Sequence, residues 1–342
     1  MEIDFMTGGA SWKDSADFAR KLESAGFSGL TYTETSNVPW MQITAASLAA
    51  PSLFFTTGIA VAFPRSPMVA AGTAYELVDN TNGRFRLGLG SQVKAHIERR
   101  YGSDFDRPAA RLSDYVLAVK ACWRAFNREE KLNHDGEFYQ LSLLPRDWAP
   151  RPHHHPMKID VSAVGPIMTK MAGRVADGVH VHPLHSMPYI ENRLLPVLAD
   201  GAAKAGREVA DIDLMIPVFA CPGDTPEERE AYTTQARRQI AFYGSTPNYA
   251  FQFDDLGFEG TTSKIRAQMK SGRLDTIGEL ITDEMLDAYA VIAPWDDLAD
   301  RLVERYGNTA SRVVMYLGEP AIRADDNHLA QWGEVATAVR SS

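Results

Sequence analysis

The chain has 342 residues, 45% hydrophobic and 23% charged, with a formal net charge of −9. That length suits two ordinary domains or one large α/β barrel, and supplies ample apolar material for a core. The acidic balance argues against nucleic acid and anionic membrane as partners, since both demand basic surfaces.

No apolar run is long enough to span a bilayer. The opening MEIDFMTGG lacks the basic and apolar regions of a signal peptide. Cys122 and Cys221 form no paired motif, which predicts a reducing, cytoplasmic setting.

Strand-like and helix-like patterns alternate along the chain. Glu2–Met6 reads as a short strand, and Ser11–Gly26 as an amphipathic helix with Phe18, Ala19, Leu22 and Ala25 on one face. Leu30–Thr33 is a second strand with Glu34 at its end, and residues 40–49 are helical before Pro51. Residues 54–62 form a nearly unbroken apolar run, as expected of a strand buried on both faces. Pro64-Arg65-Ser66-Pro67 turns the chain into a helix that runs to Asn80.

Residues 84–89 make a fourth strand, followed by a polar loop, 91–96. A long helix over 107–126 precedes an excursion, 128–156, that reads as a hairpin and a Pro/His-rich loop with His153, His154 and His155 in solvent. Strands follow at 158–162, 178–182 and 212–219, with helices at 167–176, 189–205 and 225–243. The segment 244–278, rich in Phe, Asp and Gly, reads as irregular and as an inserted lid between strands seven and eight. Helical material from Glu279 leads to a last strand at 312–317. Eight such units predict a single (β/α)8 TIM barrel over 1–342; an open doubly wound sheet would require a GxGxxG turn near the N-terminus, and none is present.

The stretch RFRLGLGSQVKAHIERRYG, 84–102, organises the expected site. Gly88 and Gly90 end the strand without a Cβ, so a backbone or a flat ring can approach. Beyond them the loop offers the Gln92 amide, the Lys94 cation and the His96 imidazole. The same GxG serves a tight turn equally well. Ser162 to Pro166 opens a helix, which places free N–H groups and the positive dipole end toward an anion such as phosphate, or is only a favoured proline start. His180 and His182, two apart on a strand, share a side and make a possible metal pair. A hydrolytic metal site would also need a placed carboxylate or a third histidine, so an organic ligand is the better reading and no metal is expected.

Taken together, GFSGLTYTETSNVPW, TTGIAVAFPRSPMVAAGTAYELVDNTNGRFRLGLGSQ and VSAVGPIMTKMAGRVADGVHVHP resemble the bacterial luciferase-like superfamily. The chain is most similar to the branch of oxidoreductases using coenzyme F420, a deazaflavin, and SQVKAHIERRYG is similar to an actinobacterial subgroup within it. The resemblance implies a barrel with a lid after strand seven, a homodimer, and a deazaflavin at the carboxyl face whose phosphate tail runs toward the fifth-strand turn. It implies that Glu34 contacts the ring edge, that Gly58–Ile59 is a non-proline cis peptide backing the ring (Ala60–Val61 being the fallback), and that His96 touches the ring. Val164, Gly165 and Pro166 would hold the tail, Ser162 would also bind the cofactor, and His180 would face the pocket.

Relatives that oxidise sugar phosphates or secondary alcohols carry a histidine after the second-strand acid and a glutamate in the fourth-strand loop. Thr35 or Ser36 and Gln92 or Val93 stand there instead, which argues against alcohol oxidation. The expected function is hydride transfer between F420 and a small organic substrate, with His96, His180 and Glu34 as candidate catalytic residues. The alternatives are an FMNH2-dependent monooxygenase and a metal-dependent barrel hydrolase.

Overall fold

In the computed structural model, which describes residues 1–342, eight parallel strands close into a barrel. They are β1 (Glu2–Thr7), β2 (Gly29–Tyr32), β3 (Phe54–Thr57), β4 (Phe85–Gly90), β5 (Ile159–Ser162), β6 (Gly178–His180), β7 (Asp213–Pro222) and β8 (Arg312–Met315). Each pairs with the next, and β8 returns to β1 with Met315 opposite Phe5. This is the (β/α)8 architecture that the alternation predicts.

Local chemistry starts the surrounding helices. Ser11 accepts a hydrogen bond from the Asp14 N–H at 3.1 Å ahead of helix Trp12–Ser24. Ser66 accepts from the Met68 N–H ahead of helix Pro67–Asn80, whose first residue is a proline. The strands' outward side chains and the helices' inner faces then form one continuous apolar core.

The barrel interior is polar at its N-terminal end. Arg312 on β8 grips Asp4 on β1 with two bonds of 2.6 and 2.7 Å. Arg86 on β4 reaches Asp160 on β5 at 2.6 Å and Asp213 on β7 at 2.5 Å. Strands β4 and β7 are not neighbours, so the Arg86 side chain crosses the inside of the barrel.

Four expectations are corrected. The run 54–62 is not one strand: it breaks at Gly58–Ile59 and resumes only for Ala60–Val61, which pairs with β4. The segment 244–278 is not irregular; it holds helical turns at Pro247–Tyr249 and Phe251–Asp254, then helix Thr261–Lys270. Gly257 and Gly260, both at positive φ, separate these pieces, which is why the sequence reads as loop. Phe253 there is fully buried and packs on Tyr289, whose hydroxyl donates to the Gln252 carbonyl at 2.6 Å.

Residues Ala290–Ala293, expected to be helical, form an extra parallel strand beside β7. His153, expected in solvent, is 7% exposed and stacks on Tyr75 with ring centroids 4.0 Å apart. The excursion does contain a hairpin, His134–Asp135 against Gln140–Leu141. Asp114 anchors it by accepting from the Phe138 and Tyr139 N–H groups at 2.6 and 3.0 Å. No helix is long and apolar enough to cross a membrane.

Candidate active site

The carboxyl ends of β2 to β6 meet around the break in β3. The peptide between Gly58 and Ile59 is cis. Where the ladder is interrupted, the Thr57 hydroxyl donates to the Gly88 carbonyl at 2.7 Å and accepts from the Gly88 N–H at 2.9 Å, so both backbone groups stay paired. On the other side, Glu34 accepts from the Val61 N–H at 2.7 Å and pairs with Arg65 at 2.5 and 2.8 Å. Arg65 also donates to the Val61 carbonyl at 2.9 Å and lies over the Trp40 ring. Glu34 therefore clamps the backbone just past the break, with both carboxylate oxygens engaged.

Three glycines stand here where the surrounding chain leaves no space for a Cβ. A Cβ on Gly58 would lie 2.3 Å from the Thr31 methyl and 3.4 Å from His180. One on Gly88 would lie 1.9 Å from the Thr57 carbonyl oxygen, and one on Gly90 would meet Ile59 and Ser162 at 2.7 Å. Gly90 pairs with Val61, and Ser162 with His180, so Gly58, Ile59, Ala60, Gly90, Ser162 and His180 are brought together.

Next to them, Gly165 precedes helix Pro166–Val175 without any side-chain cap, and the space where its Cβ would stand is open. The first N–H groups of that helix therefore have no intrahelical partner. The Val164 carbonyl accepts from the Tyr189 hydroxyl at 2.9 Å, which fixes the turn.

The rim after β4 differs from the expected loop. Residues Lys94–Arg99 form a short helix, with His96 exposed on it. Gln92 sits at φ 57°, a left-handed conformation uncommon outside glycine, and its side-chain oxygen accepts from the Val93 N–H. Arg100 donates to the Thr35 carbonyl.

His180 and His182 do not converge. His180 ends β6 and is 4% exposed; burial, with Arg86 nearby, pushes its imidazole down to about 3, so it is neutral. His182 lies past the strand end, accepts from the Leu184 N–H at 3.1 Å, and packs against Tyr243 and Tyr249 at 4.8 and 4.7 Å between centroids. No three His, Cys, Asp or Glu side chains gather in ligating geometry. The Tyr243 and Tyr316 hydroxyls hydrogen-bond each other, so the segments just past β6 and β8, the end of helix Pro226–Gly244 and the turn at Tyr249 share an aromatic cluster.

Several of these residues escape a reading by motif. Arg65 sits inside Pro64-Arg65-Ser66-Pro67, which reads as a turn only. Arg86 and Asp160 carry a usable signal: each is a charge inside an otherwise apolar buried strand, a combination that calls for a partner.

A closed ring of eight parallel strands with helices between them, its strand tips gathered at one end, defines the class as a (β/α)8 barrel. The sequence profile of the luciferase-like monooxygenase family matches residues 2–312, and the chain belongs to that family. It is 36% identical over 301 residues to an uncharacterized protein of Mycobacterium tuberculosis, covering 88% of each chain. It is 24% identical over 303 residues to a 5,10-methylenetetrahydromethanopterin reductase of Methanolobus tindarius, covering 87% of this chain and 88% of that one. Among solved structures it resembles the coenzyme F420 dependent tetrahydromethanopterin reductase of Methanopyrus kandleri, with a TM-score of 0.78, 18% identity and 97% of each chain covered.

Proposed function

We propose that this chain is an oxidoreductase that moves a hydride between the deazaflavin coenzyme F420 and a small organic substrate. The observation that supports the reading is the backbone around Gly58, Ile59, Ala60 and Gly90, which packs so closely on Thr31, Ile59 and Ser162 that Gly58 and Gly90 have no room for a Cβ. Such a surface fits a flat heterocycle, and the uncapped helix start at Gly165 and Pro166 fits a phosphate beside it. The dependence of the Methanopyrus reductase on F420 supports the choice of deazaflavin.

When bound, the deazaflavin supplies hydride transfer at its ring C5. The chain's own part is placement. Glu34 and Arg65 hold the backbone past β3 that would bear on the ring, and Gly90 lets Ile59 and Ser162 pack closely beside it. Ser162, Val164 and Gly165 line the way to the phosphate site. His182, Tyr243, Tyr249 and Tyr316 present an aromatic wall to an apolar substrate and keep water out of the mouth. His96 and Gln92 reach the ring from the rim.

The segment 244–278 acts as the lid over that mouth. Reduced FMN is the competing ligand, because the family takes its name from monooxygenases.

A homodimer belongs to the same reading. Helix Pro39–Ala49, PWMQITAASLA, is apolar nearly all round, yet Met41 is exposed and Leu48 is 83% exposed. A helix of that composition is normally covered on every side, and a second copy supplies the cover. The reducing cytoplasm fits two free, buried cysteines whose thiols burial pushes up to about 12. Titration of the purified protein with deazaflavin and with FMN tests the whole reading.

A further inference from the structure

Beside these glycines lies a pair of buried groups with unspent hydrogen-bonding capacity. His180 Nε2 and Asp160 Oδ2 each lack a partner, and they lie 3.6 Å apart. Both side chains are almost wholly enclosed, so no bulk water replaces the missing bond. The imidazole runs between Gly58 and Gly88; a Cβ on Gly88 would sit 2.6 Å from Nε2, and one on Gly58 would sit 3.6 Å from Nδ1. The ring thus lies beside the two glycines, with Nε2 next to Gly88 and Asp160 and Nδ1 nearer Gly58.

Asp160 is itself held in place. Its Oδ1 takes the Arg86 Nε–H at 2.6 Å, and Arg86 is tied to Asp213 at 2.5 Å. Asp213 in turn takes Lys158 at 3.0 Å and the Ser311 hydroxyl at 3.1 Å. Two cations and two carboxylates balance, and of the four carboxylate oxygens only Asp160 Oδ2, beside His180, has no hydrogen-bond partner.

We propose that Asp160 is a positioning residue for His180: it takes the Nε2–H, fixing one neutral tautomer, and thereby turns the Nδ1 lone pair toward Gly58 as an acceptor for a ligand N–H. An imide N–H on a flat heterocycle is the group such a lone pair recognises. The gap of 3.6 Å is a few tenths longer than a hydrogen bond, and bonds of this kind tighten when the ligand loads. His180 is thus an acceptor and not an acid, since a neutral imidazole whose one proton faces Asp160 has none to give at Nδ1. The ligand half of this inference rests on the cofactor reading above; the tautomer half does not.

The test is nitrogen NMR of selectively 15N-histidine-labelled protein without any ligand, with the His180 signals identified by their loss in His180→Gln. The expected wild-type result at pH 7.5 is a protonated Nε2 and a bare Nδ1; a protonated Nδ1 overturns the proposal. Asp160→Asn presents an amide that donates to Nε2, so the proton is expected to move to Nδ1 and deazaflavin affinity to fall at least tenfold. An unchanged tautomer in a folded Asp160→Asn protein overturns the proposal. Should that variant not fold, the wild-type tautomer alone decides. If the tautomer is as expected and neither deazaflavin nor FMN binds wild type, the cofactor reading fails while the Asp160–His180 relationship stands.

Discussion

The Glu34 carboxylate meets the Arg65 guanidinium through contacts of 2.5 and 2.8 Å, and the same carboxylate takes the Val61 N–H at 2.7 Å. Two loops, one after β2 and one after β3, are thus joined at the edge of the proposed ring site. Removing either partner leaves an enclosed charge without its counterion. Glu34→Ala or Arg65→Ala is expected to cost about 3 kcal/mol each, measured by urea unfolding, while the double variant costs less than their sum. Additive losses would show that the pair does not act as a unit.

Glycine substitutions at the exit of β4 separate folding from binding. On Gly88→Ala, the new Cβ meets the Thr57 carbonyl oxygen at 1.9 Å, a backbone atom with nowhere to go. A loss of about 3 kcal/mol or more is expected. On Gly90→Ala, the Cβ meets only the side chains of Ile59 and Ser162 at 2.7 Å, and both can turn. That variant should fold with little loss yet bind deazaflavin at least tenfold more weakly, about 1.4 kcal/mol. His96→Ala, at an exposed position, should leave the unfolding midpoint unchanged and weaken deazaflavin binding; equal affinity would remove His96 from the site.

Acid stability follows from three histidines buried without charge. Burial pushes His180 and His182 down to about 3 and His185 to about 4, from an ordinary value of about 6.5. The unfolded chain takes up protons at these sites before the folded chain does, so stability is full above about pH 6.5 and falls as pH drops toward 4. Each histidine then costs about 2 kcal/mol at pH 5.

Asp160 works the other way: burial raises it to about 6, so between about pH 4 and 6 the folded chain holds a proton that the unfolded chain has released. The net loss from pH 7 to pH 5 is about 4 kcal/mol. Denaturant midpoints at the two pH values check it, and equal midpoints would contradict it.

The dimer reading has its own probe. Leu48→Glu places a charge on the exposed apolar helix face and should convert a dimer to a monomer in light scattering behind size exclusion. A monomeric wild-type protein would dismiss this interface.

The barrel was legible because its strands are short apolar runs punctuated by glycine and proline, and its helices start on Ser11, Ser66 and Thr225, residues that cap by chemistry alone. The tips of β3 to β6 were legible for the same reason. The break inside 54–62 was invisible to periodicity, since an apolar run reads identically whether it stays in the ladder or leaves it; only family likeness pointed to Gly58–Ile59. The pairing of Glu34 with Arg65 was not legible because the partner lies 31 residues on, within an apparent turn. The helical pieces of 244–278 were hidden because each is shorter than the window over which a 3.6-residue period can be recognised.

The most direct test of the central claim is a fluorescence titration of the purified protein with F420 and, separately, with FMN, each followed by anaerobic and aerobic mixing of the reduced form. The account predicts saturable F420 binding that Gly90→Ala weakens at least tenfold, with FMN bound more weakly and no rapid oxygen uptake. Tighter binding of FMN together with rapid oxygen consumption by FMNH2 would contradict it.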